Sequence, residues 1–143
     1  MDMERVDIVV IGAGVIGLAI AERCAGHRRE LVVCEQHESF GRETSSRNSE
    51  VIHCGMYYAE TLLKTTLCVR GNPLLYELCA SHGIPHRKTG KILVATDTQE
   101  EKELHQILAQ GRRNCVPGLT LISAAEISTR EPDVRGRLGM YSP

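Results

Sequence analysis

The order of apolar and polar residues predicts alternating strands and a helix in the first third of the chain. Val6 to Ile11 is a short apolar run rich in β-branched residues, which is typical of a buried strand. An Ala/Leu/Ile-rich stretch from Val15 to Ala25 predicts a helix, and Leu31 to Cys34 predicts a second strand. Two strands joined through a helix normally pair in parallel, so these segments predict one βαβ unit.

The middle of the chain predicts a loop followed by two helices. Residues 36–60 are polar and predict mostly loop with about one helical turn. Helical spacing over residues 62–67 predicts a helix that breaks at Gly71. Asn72 as cap and Pro73 at the first helical position predict a second helix, which ends near Gly83.

The last third predicts strands and helices in alternation. Lys91 to Thr96 and Leu119 to Ile122 are apolar runs of strand length. A helix is predicted after each of them, because Thr98 with Glu101, and Ser123 with Glu126, have the spacing of capping boxes. The predicted fold class is therefore α/β, a Rossmann-like βαβ unit followed by the start of an α+β domain.

Composition narrows the class of protein. The 143 residues fit one domain, and 42% hydrophobic residues suffice for a core. With 17 basic and 18 acidic residues, no basic stripe and 3% aromatic residues, the chain is not expected to bind nucleic acid. No apolar run approaches the roughly 18 residues of a membrane span. We expect a cytoplasmic protein without a transmembrane segment, with peripheral membrane association left open.

The cysteines contain no CxxC pair, and most of them lie within apolar patterns. This predicts buried free thiols in a reducing compartment, ahead of zinc binding or a disulfide framework. No metal site is predicted. The six are Cys24, Cys34, Cys54, Cys68, Cys79 and Cys115.

A glycine motif of the form GxGxxG begins at Gly12, directly after the first strand and at the start of the first helix. Gly12 makes the tight turn, Gly14 lets a pyrophosphate approach the backbone, and Gly17 lets the helix pack on the strand. Glu35 ends the next strand at about the expected separation of 20 residues and can accept hydrogen bonds from ribose hydroxyls. The predicted cofactor contacts in these segments are Gly12, Gly14, Val15, Ile16, Gly17, Glu35 and Gln36.

The glycine motif alone does not distinguish FAD from NAD, because both cofactors share the ADP half that it recognises. The motif lies at the start of the chain, and Glu35 leads into a polar loop rich in Arg and Ser instead of another βα repeat. These two features favour FAD.

Five further segments extend this interpretation along nearly the whole chain. They are NSxVIHxGxYY at Asn48 to Tyr58, LKxxLCVxG at Leu63 to Gly71, LLYExC at Leu74 to Cys79, a GK-VAT segment at Gly90 to Thr96, and NCVPGL at Asn114 to Leu119. In this order they resemble the L-2-hydroxyglutarate dehydrogenase/oxidase family of the D-amino-acid-oxidase-like flavoproteins.

The resemblance implies that a polar segment lies against FAD and that two residues serve the substrate. His53 would lie near the flavin ring and accept the proton of the substrate hydroxyl, since imidazole changes charge near neutral pH. Lys64 would pair with a substrate carboxylate. The alternatives are a solvated polar loop, a structural histidine and a surface lysine, and the remaining histidines, His37 among them, are given no role. The implied FAD contacts are Thr44, Ser45, Ser46, Arg47 and Asn48.

The resemblance further implies FAD-dependent oxidation of a 2-hydroxy acid, with hydride transfer from L-2-hydroxyglutarate to give 2-oxoglutarate. An amine or amino-acid oxidase on the same fold, and a nucleotide-binding module without catalysis, stay open as alternatives. No electron acceptor is predicted. We expect residues 1–86 to form the FAD-binding region and residues 87–143 to begin a substrate domain. We also expect the chain to be the amino-terminal part of a longer enzyme and to be inactive alone.

Overall fold

The computed structural model describes residues 5–26 and 28–143, which fall into two compact units. The first unit ends at Val51 and the second is Ile52–Pro143. The sequence interpretation instead divides the chain after residue 86, according to which residues contact the cofactor. That division stays a prediction, because the compact units report packing and not ligand contact.

The first unit contains the predicted βαβ arrangement. Strand β1 (Ile8–Ile11) leads into helix α1 (Val15–Ala25), and strand β2 (Leu31–Cys34) follows. The two strands pair in parallel, with Ile8 opposite Leu31 and Ile11 opposite Cys34. The helical turn expected in the polar loop is a 3-10 helix at Glu43–Ser46.

Few side chains of the first unit are buried. Val10, Ala13 and Ala21 are buried, whereas Ile11 is 88% exposed and Ile16 72% exposed. Parallel strands normally have both faces covered. Two strands and one helix cannot provide that cover, so apolar side chains stay exposed along β1 and α1.

The second unit packs helices against a three-stranded antiparallel sheet of order β3-β5-β4. This agrees with the mixed α/β class that the sequence predicts. Its elements are α2 (Leu63–Ser81), β3 (Lys91–Ala95), α3 (Thr98–Arg113), β4 (Thr120–Ser123), α4 (Ala124–Arg130) and β5 (Leu138–Ser142).

Strand β5, which the sequence analysis did not predict, is the centre of this sheet. Met140 pairs with Leu93 on one side and Leu121 on the other. Met140 is 0% exposed and belongs to the core cluster on the side of α3, together with Leu104. Successive residues of a strand point to opposite faces, so Gly139 faces the other side.

Helix α4 covers that other face of the sheet at Gly139. A methyl group on Gly139 would lie 2.7 Å from Ile122 Cγ1 and 3.0 Å from Ile127 Cγ1. Ile127 of α4 is 0% exposed. The missing side chain at Gly139 therefore lets α4 pack directly on the sheet.

Helix α2 is continuous, so the predicted break at Gly71 is wrong. Pro73 lies inside the helix. A proline removes one backbone donor and strains the preceding turn, but the helical residues on both sides carry the helix through this position. The Asn72 side chain donates to the His53 carbonyl oxygen at 3.4 Å, so it does not cap a new helix.

The N-cap of α3 lies one residue before the predicted cap, Thr98. Asp97 is the N-cap, and its Oδ1 accepts from the N–H groups of Gln99 and Glu100 at 2.8 and 2.9 Å. The Glu100 carboxylate accepts from Thr96, whose hydroxyl and backbone N–H lower the pKa of Glu100. The predicted pair of Thr98 with Glu101 is therefore wrong, because aspartate one position earlier caps the helix.

The capping box predicted for α4 is confirmed. Ser123 Oγ accepts from the Glu126 N–H at 3.3 Å, and Glu126 Oε2 accepts from the Ser123 N–H at 2.7 Å. These bonds lower the pKa of Glu126, with the Ser123 N–H as the largest cause.

The cysteines are free thiols, but the prediction that most are buried is wrong. Cys79 is buried, Cys34 and Cys115 are exposed, and the others are partly buried. Cys34 is exposed because it ends a strand of the sparsely covered two-stranded sheet.

In residues 5–26 and 28–143, no three His, Cys, Asp or Glu side chains are grouped closely enough to hold a metal ion. No helix in those same residues has the length and apolarity to cross a membrane.

We predict that Gly71→Ala in α2 stabilises the protein by about 0.5–1 kcal/mol, because alanine is the better helix former. A methyl group there meets no atom within 4 Å. The matched control is Gly111→Ala in α3, where the methyl group would overlap the Leu119 side chain and crowd Met56. Thermal unfolding should show opposite shifts for the two variants. A loss of stability in Gly71→Ala would contradict the prediction.

Candidate functional site

A cleft of about 440 Å³ opens in the first unit at the carboxyl ends of β1 and β2. Ligands of α/β proteins bind at this end of parallel strands. Six of the predicted cofactor contacts lie in its wall. These are Gly12, Gly14, Glu35, Gln36, Thr44 and Ser45.

The glycine turn forms the floor of the cleft. Gly12 has a φ of +97°, which an L side chain rarely adopts, and its N–H donates to the Cys34 carbonyl oxygen at 2.7 Å. A methyl group on Gly17 would overlap the Gly12 carbonyl oxygen. The predicted tasks of tight turn and close helix packing therefore match the geometry of these two glycines.

Ser45 holds the polar loop on the start of α1. Its Oγ accepts from the Val15 N–H at 2.9 Å, and a methyl group on Gly14 would lie 3.1 Å from the same oxygen. The Gly41 N–H donates to the Ala13 carbonyl oxygen at 2.8 Å. The loop thus borders a helix N-terminus, where backbone N–H groups and the helix dipole favour an anion.

Glu35 is bonded to the backbone on both of its oxygens. Oε2 accepts from the Ala13 N–H at 2.7 Å, and Oε1 accepts from the His37 N–H at 3.0 Å. These N–H groups, with Ala13 first, lower the pKa of Glu35 and keep the carboxylate ionised. Each oxygen retains a second acceptor position. These acceptor positions would allow Glu35 to accept hydrogen bonds from ribose hydroxyls, which stays a prediction.

The segment after the 3-10 helix is held largely by its own side chains. Asn48 Nδ2 donates to the carbonyl oxygens of Thr44 and Ser45, both at 3.2 Å, and Asn48 Oδ1 accepts from the Glu50 N–H. Ser46 Oγ donates to the Glu43 carbonyl oxygen. The segment is thus locally ordered and exposed, and its contact with FAD stays a prediction. Of the predicted contacts, Val15, Ile16, Gly17, Ser46, Arg47 and Asn48 lie outside the cleft wall.

Sequence reasoning missed several residues of the cleft wall, of which His37 is the clearest. His37 Nε2 lies 2.9 Å from Glu43 Oε1, which joins two edges of the polar loop. Glu43 has a φ of +58°, an unusual value for a residue other than glycine. No sequence pattern signals that backbone state. The other missed residues are Ile11, Cys34 and Arg42.

The two predicted substrate residues lie in the second unit. His53 is exposed, and its carbonyl oxygen accepts from Asn72. Lys64 Nζ lies 4.1 Å from the centre of the Tyr58 ring, which is a cation–π contact. Each of the two residues thus contacts a residue of its own unit. Their roles toward a substrate stay predictions.

The cleft fits the pyrophosphate and ribose of a dinucleotide. Side chains at Gly14 and Gly17 would fill the space beside the turn, the start of α1 is open to an anion, and an ionised carboxylate follows β2. Together with the βαβ arrangement, these features define a dinucleotide-binding protein of the α/β class.

Comparison with known proteins identifies the family within that class. The model of the family described as FAD dependent oxidoreductase matches residues 7–143. The chain therefore belongs to the FAD-dependent oxidoreductase family.

Curated relatives are similar over almost the whole chain. The mitochondrial L-2-hydroxyglutarate dehydrogenase of Arabidopsis thaliana is 46% identical over 140 residues, 98% of this chain and 29% of that protein. The enzyme of the same name from Homo sapiens is 38% identical over 139 residues, 96% of this chain and 30% of that protein. The chain thus spans about 30% of the length of these relatives.

Solved structures share the fold. FAD-bound L-alpha-glycerophosphate oxidase from Mycoplasma pneumoniae matches with a TM-score of 0.87 and 26% identity, over 98% of this chain and 38% of that one. L-proline dehydrogenase from P. horikoshii matches with a TM-score of 0.76 and 22% identity, over 98% and 37%. The second likeness shows the fold alone.

We predict that Glu35→Gln destabilises the protein in a pH-dependent way. The folded-state pKa of Glu35 lies below its ordinary value of 4.5, so its stabilising effect is complete above that value. The effect is lost as the pH falls through the folded-state pKa. Unfolding measured from neutral to acidic pH should show a gap between wild type and variant that closes below about 4.5. A gap that stays constant over this range would contradict the prediction.

Proposed function

We propose that the full-length protein is an FAD-dependent dehydrogenase or oxidase that converts L-2-hydroxyglutarate to 2-oxoglutarate. The observation that carries this proposal is the 46% identity, over 98% of the chain, with the Arabidopsis protein named L-2-hydroxyglutarate dehydrogenase. Because the chain spans about 29% of that relative, the activity is proposed for the longer protein. The proposal names no electron acceptor. A cytoplasmic location stays a prediction, and the named relatives are mitochondrial.

We assign the ADP half of FAD to the cleft of the first unit. Gly12 and Gly14 would let the pyrophosphate approach the start of α1, and the free acceptor positions of Glu35 would receive ribose hydroxyls. Thr44 and Ser45 would add hydroxyl groups from the facing wall of the cleft. When bound, the flavin supplies the acceptor for a hydride from the substrate carbon.

His53 is proposed as the general base of this reaction. It would accept the hydroxyl proton at an imidazole nitrogen as the hydride leaves the neighbouring carbon. The residue is exposed, and the hydrogen bond from Asn72 reaches the His53 carbonyl oxygen and does not involve the ring nitrogens. Lys64 would attract a substrate carboxylate with its ammonium group, in competition with its contact to Tyr58.

We predict that Gly14→Val in the full-length protein abolishes retention of flavin during purification. The added side chain would press on Ser45 Oγ and occupy the space where the pyrophosphate must approach. Gly26→Val, at the other end of α1, is the matched control, since a Cβ there meets no atom within 4 Å. Flavin absorbance per protein is the measurement. An unchanged flavin-to-protein ratio in Gly14→Val would contradict the assignment of FAD to this cleft.

We predict that anaerobic L-2-hydroxyglutarate bleaches the flavin of the full-length protein and that His53→Ala slows the bleaching. Loss of a general base typically costs about 100- to 10,000-fold in rate. His105→Ala, on the exposed side of α3, is the control and should react at the wild-type rate.

Rapid mixing measures these rates, and amino acids serve as competing substrates. Bleaching by amino acids in place of the hydroxy acid would favour the amine-oxidase alternative. No bleaching by either class would favour a nucleotide-binding module. If His53→Ala bleaches within roughly threefold of the wild-type rate, His53 is not the general base.

A further inference from the structure

A second cavity, a groove of about 560 Å³, lies within the second unit on the sheet face that α4 covers in part. Ile92 pairs with Tyr141 across β3 and β5, and both side chains line the groove. Val94 and the end of α4 complete this wall. The volume is in the usual range for small-molecule pockets, about 300–1,000 Å³.

The distinctive feature of the groove is an arginine placed over an aromatic ring. Arg130 Cζ lies 4.3 Å from the centre of the Tyr141 ring. This contact orients the guanidinium group without using its hydrogen-bond donors. Within residues 5–26 and 28–143, the Arg130 side chain forms no ion pair and donates no hydrogen bond. An oriented guanidinium with free donors is suited to bind a carboxylate through two parallel bonds.

Backbone packing holds the ring beneath the arginine. Gly90 has a φ of +73°, and a methyl group there would lie 2.6 Å from Tyr141 Cε2. The tyrosine ring thus fits closely against the Gly90 backbone. The ring thus provides a surface within the groove on which the guanidinium group of Arg130 stacks.

The preference of the groove for an anion rests on the donors of Arg130 and not on a surplus of positive charge. Lys91 neighbours Ile92 on β3, so its side chain points to the opposite face of the sheet, where Nζ lies 4.9 Å from the centre of the Tyr57 ring. Glu131 lines the groove beside Arg130, and the charge of Arg130 contributes to the lowered pKa of Glu126, one turn earlier, after the hydrogen bonds from Ser123. The charges of Arg130 and Glu131 balance, so the planar donor pair of the guanidinium group is what selects a carboxylate.

We propose that this groove binds a carboxylate group of a small organic acid, with Arg130 as the donor and Tyr141 as a positioning residue. The choice of a dicarboxylic acid rests on the proposed function, whereas the preference for an anion rests on the groove itself.

The test is calorimetric titration of the full-length protein with glutarate, which carries two carboxylates and no oxidisable hydroxyl group. Arg130→Gln should weaken binding about tenfold, because one charge-assisted hydrogen-bonded pair is lost. Glu131→Gln should tighten binding, since it removes the opposing charge. Arg112→Gln on α3 removes an equal charge outside the groove wall and should leave the affinity unchanged.

Further variants separate the positioning by the ring from the charge of the arginine. Tyr141→Phe keeps the ring and should retain most of the affinity, whereas Tyr141→Leu removes the ring and should weaken binding with the charge of Arg130 intact. Arg130→Lys keeps the charge without the planar donor pair, so its affinity should lie between those of wild type and Arg130→Gln.

The outcomes decide the inference independently of the catalytic proposal. No binding of glutarate, or equal weakening in Arg130→Gln and Arg112→Gln, overturns it even if L-2-hydroxyglutarate is oxidised. Tighter binding of inorganic phosphate than of glutarate would also overturn it. If glutarate binding depends on Arg130 but L-2-hydroxyglutarate is not oxidised, the carboxylate site in the groove is supported and the proposed substrate is rejected.

Discussion

The candidate site depends on the close contact between the start of α1 and the turn after β1. Gly17 has no side chain, so the helix can begin against the Gly12 carbonyl oxygen. This places the Ala13 N–H on the Glu35 carboxylate and the Val15 N–H on the Ser45 hydroxyl. A larger residue at position 17 would move the helix away and break both bonds. One missing methyl group therefore fixes the acidic residue, the polar loop and the helix N-terminus relative to one another.

The parts of the site that could be predicted from the sequence are those with a local steric cause. A turn that leaves no room for a side chain between a strand and a helix requires glycine, and the acidic residue follows the second strand at a fixed separation. The pairing of His37 with Glu43 has no comparable signal. It requires a left-handed backbone at Glu43 and two loop edges brought together, which depend on the whole loop. The roles given to Ser45 and its neighbours came from family resemblance, and the bond to Val15 gives Ser45 a structural task besides.

The second unit shows where local patterns fail. Strand β5 contains a glycine, so its strand signal is weak, yet it pairs with both neighbouring strands. The pairing partners lie far away in sequence and supply the stability that the segment lacks by itself. Pro73 shows the opposite case. The sequence predicts a new helix that begins at this proline, but the residue lies within one long helix. In β5, contacts from outside the local window outweigh the propensity of the segment, whereas at Pro73 the helical residues on both sides of the proline outweigh its own propensity.

The two cavities differ in the electrostatics that a ligand would meet. In the cleft of the first unit, an ionised Glu35 lies beside the positive end of α1, so the cleft suits a molecule with both hydroxyl groups and an anionic part. In the groove of the second unit, Arg130 lies over the Tyr141 ring and, among residues 5–26 and 28–143, forms no ion pair with a carboxylate. A nucleotide would satisfy the first arrangement, with its ribose as donor to the acid and its phosphate at the helix N-terminus. A small organic acid has no ribose to offer Glu35, but its carboxylate matches the free donors of Arg130. The different hydrogen-bonding groups of the two cavities thus favour a cofactor in the cleft and an acid in the groove.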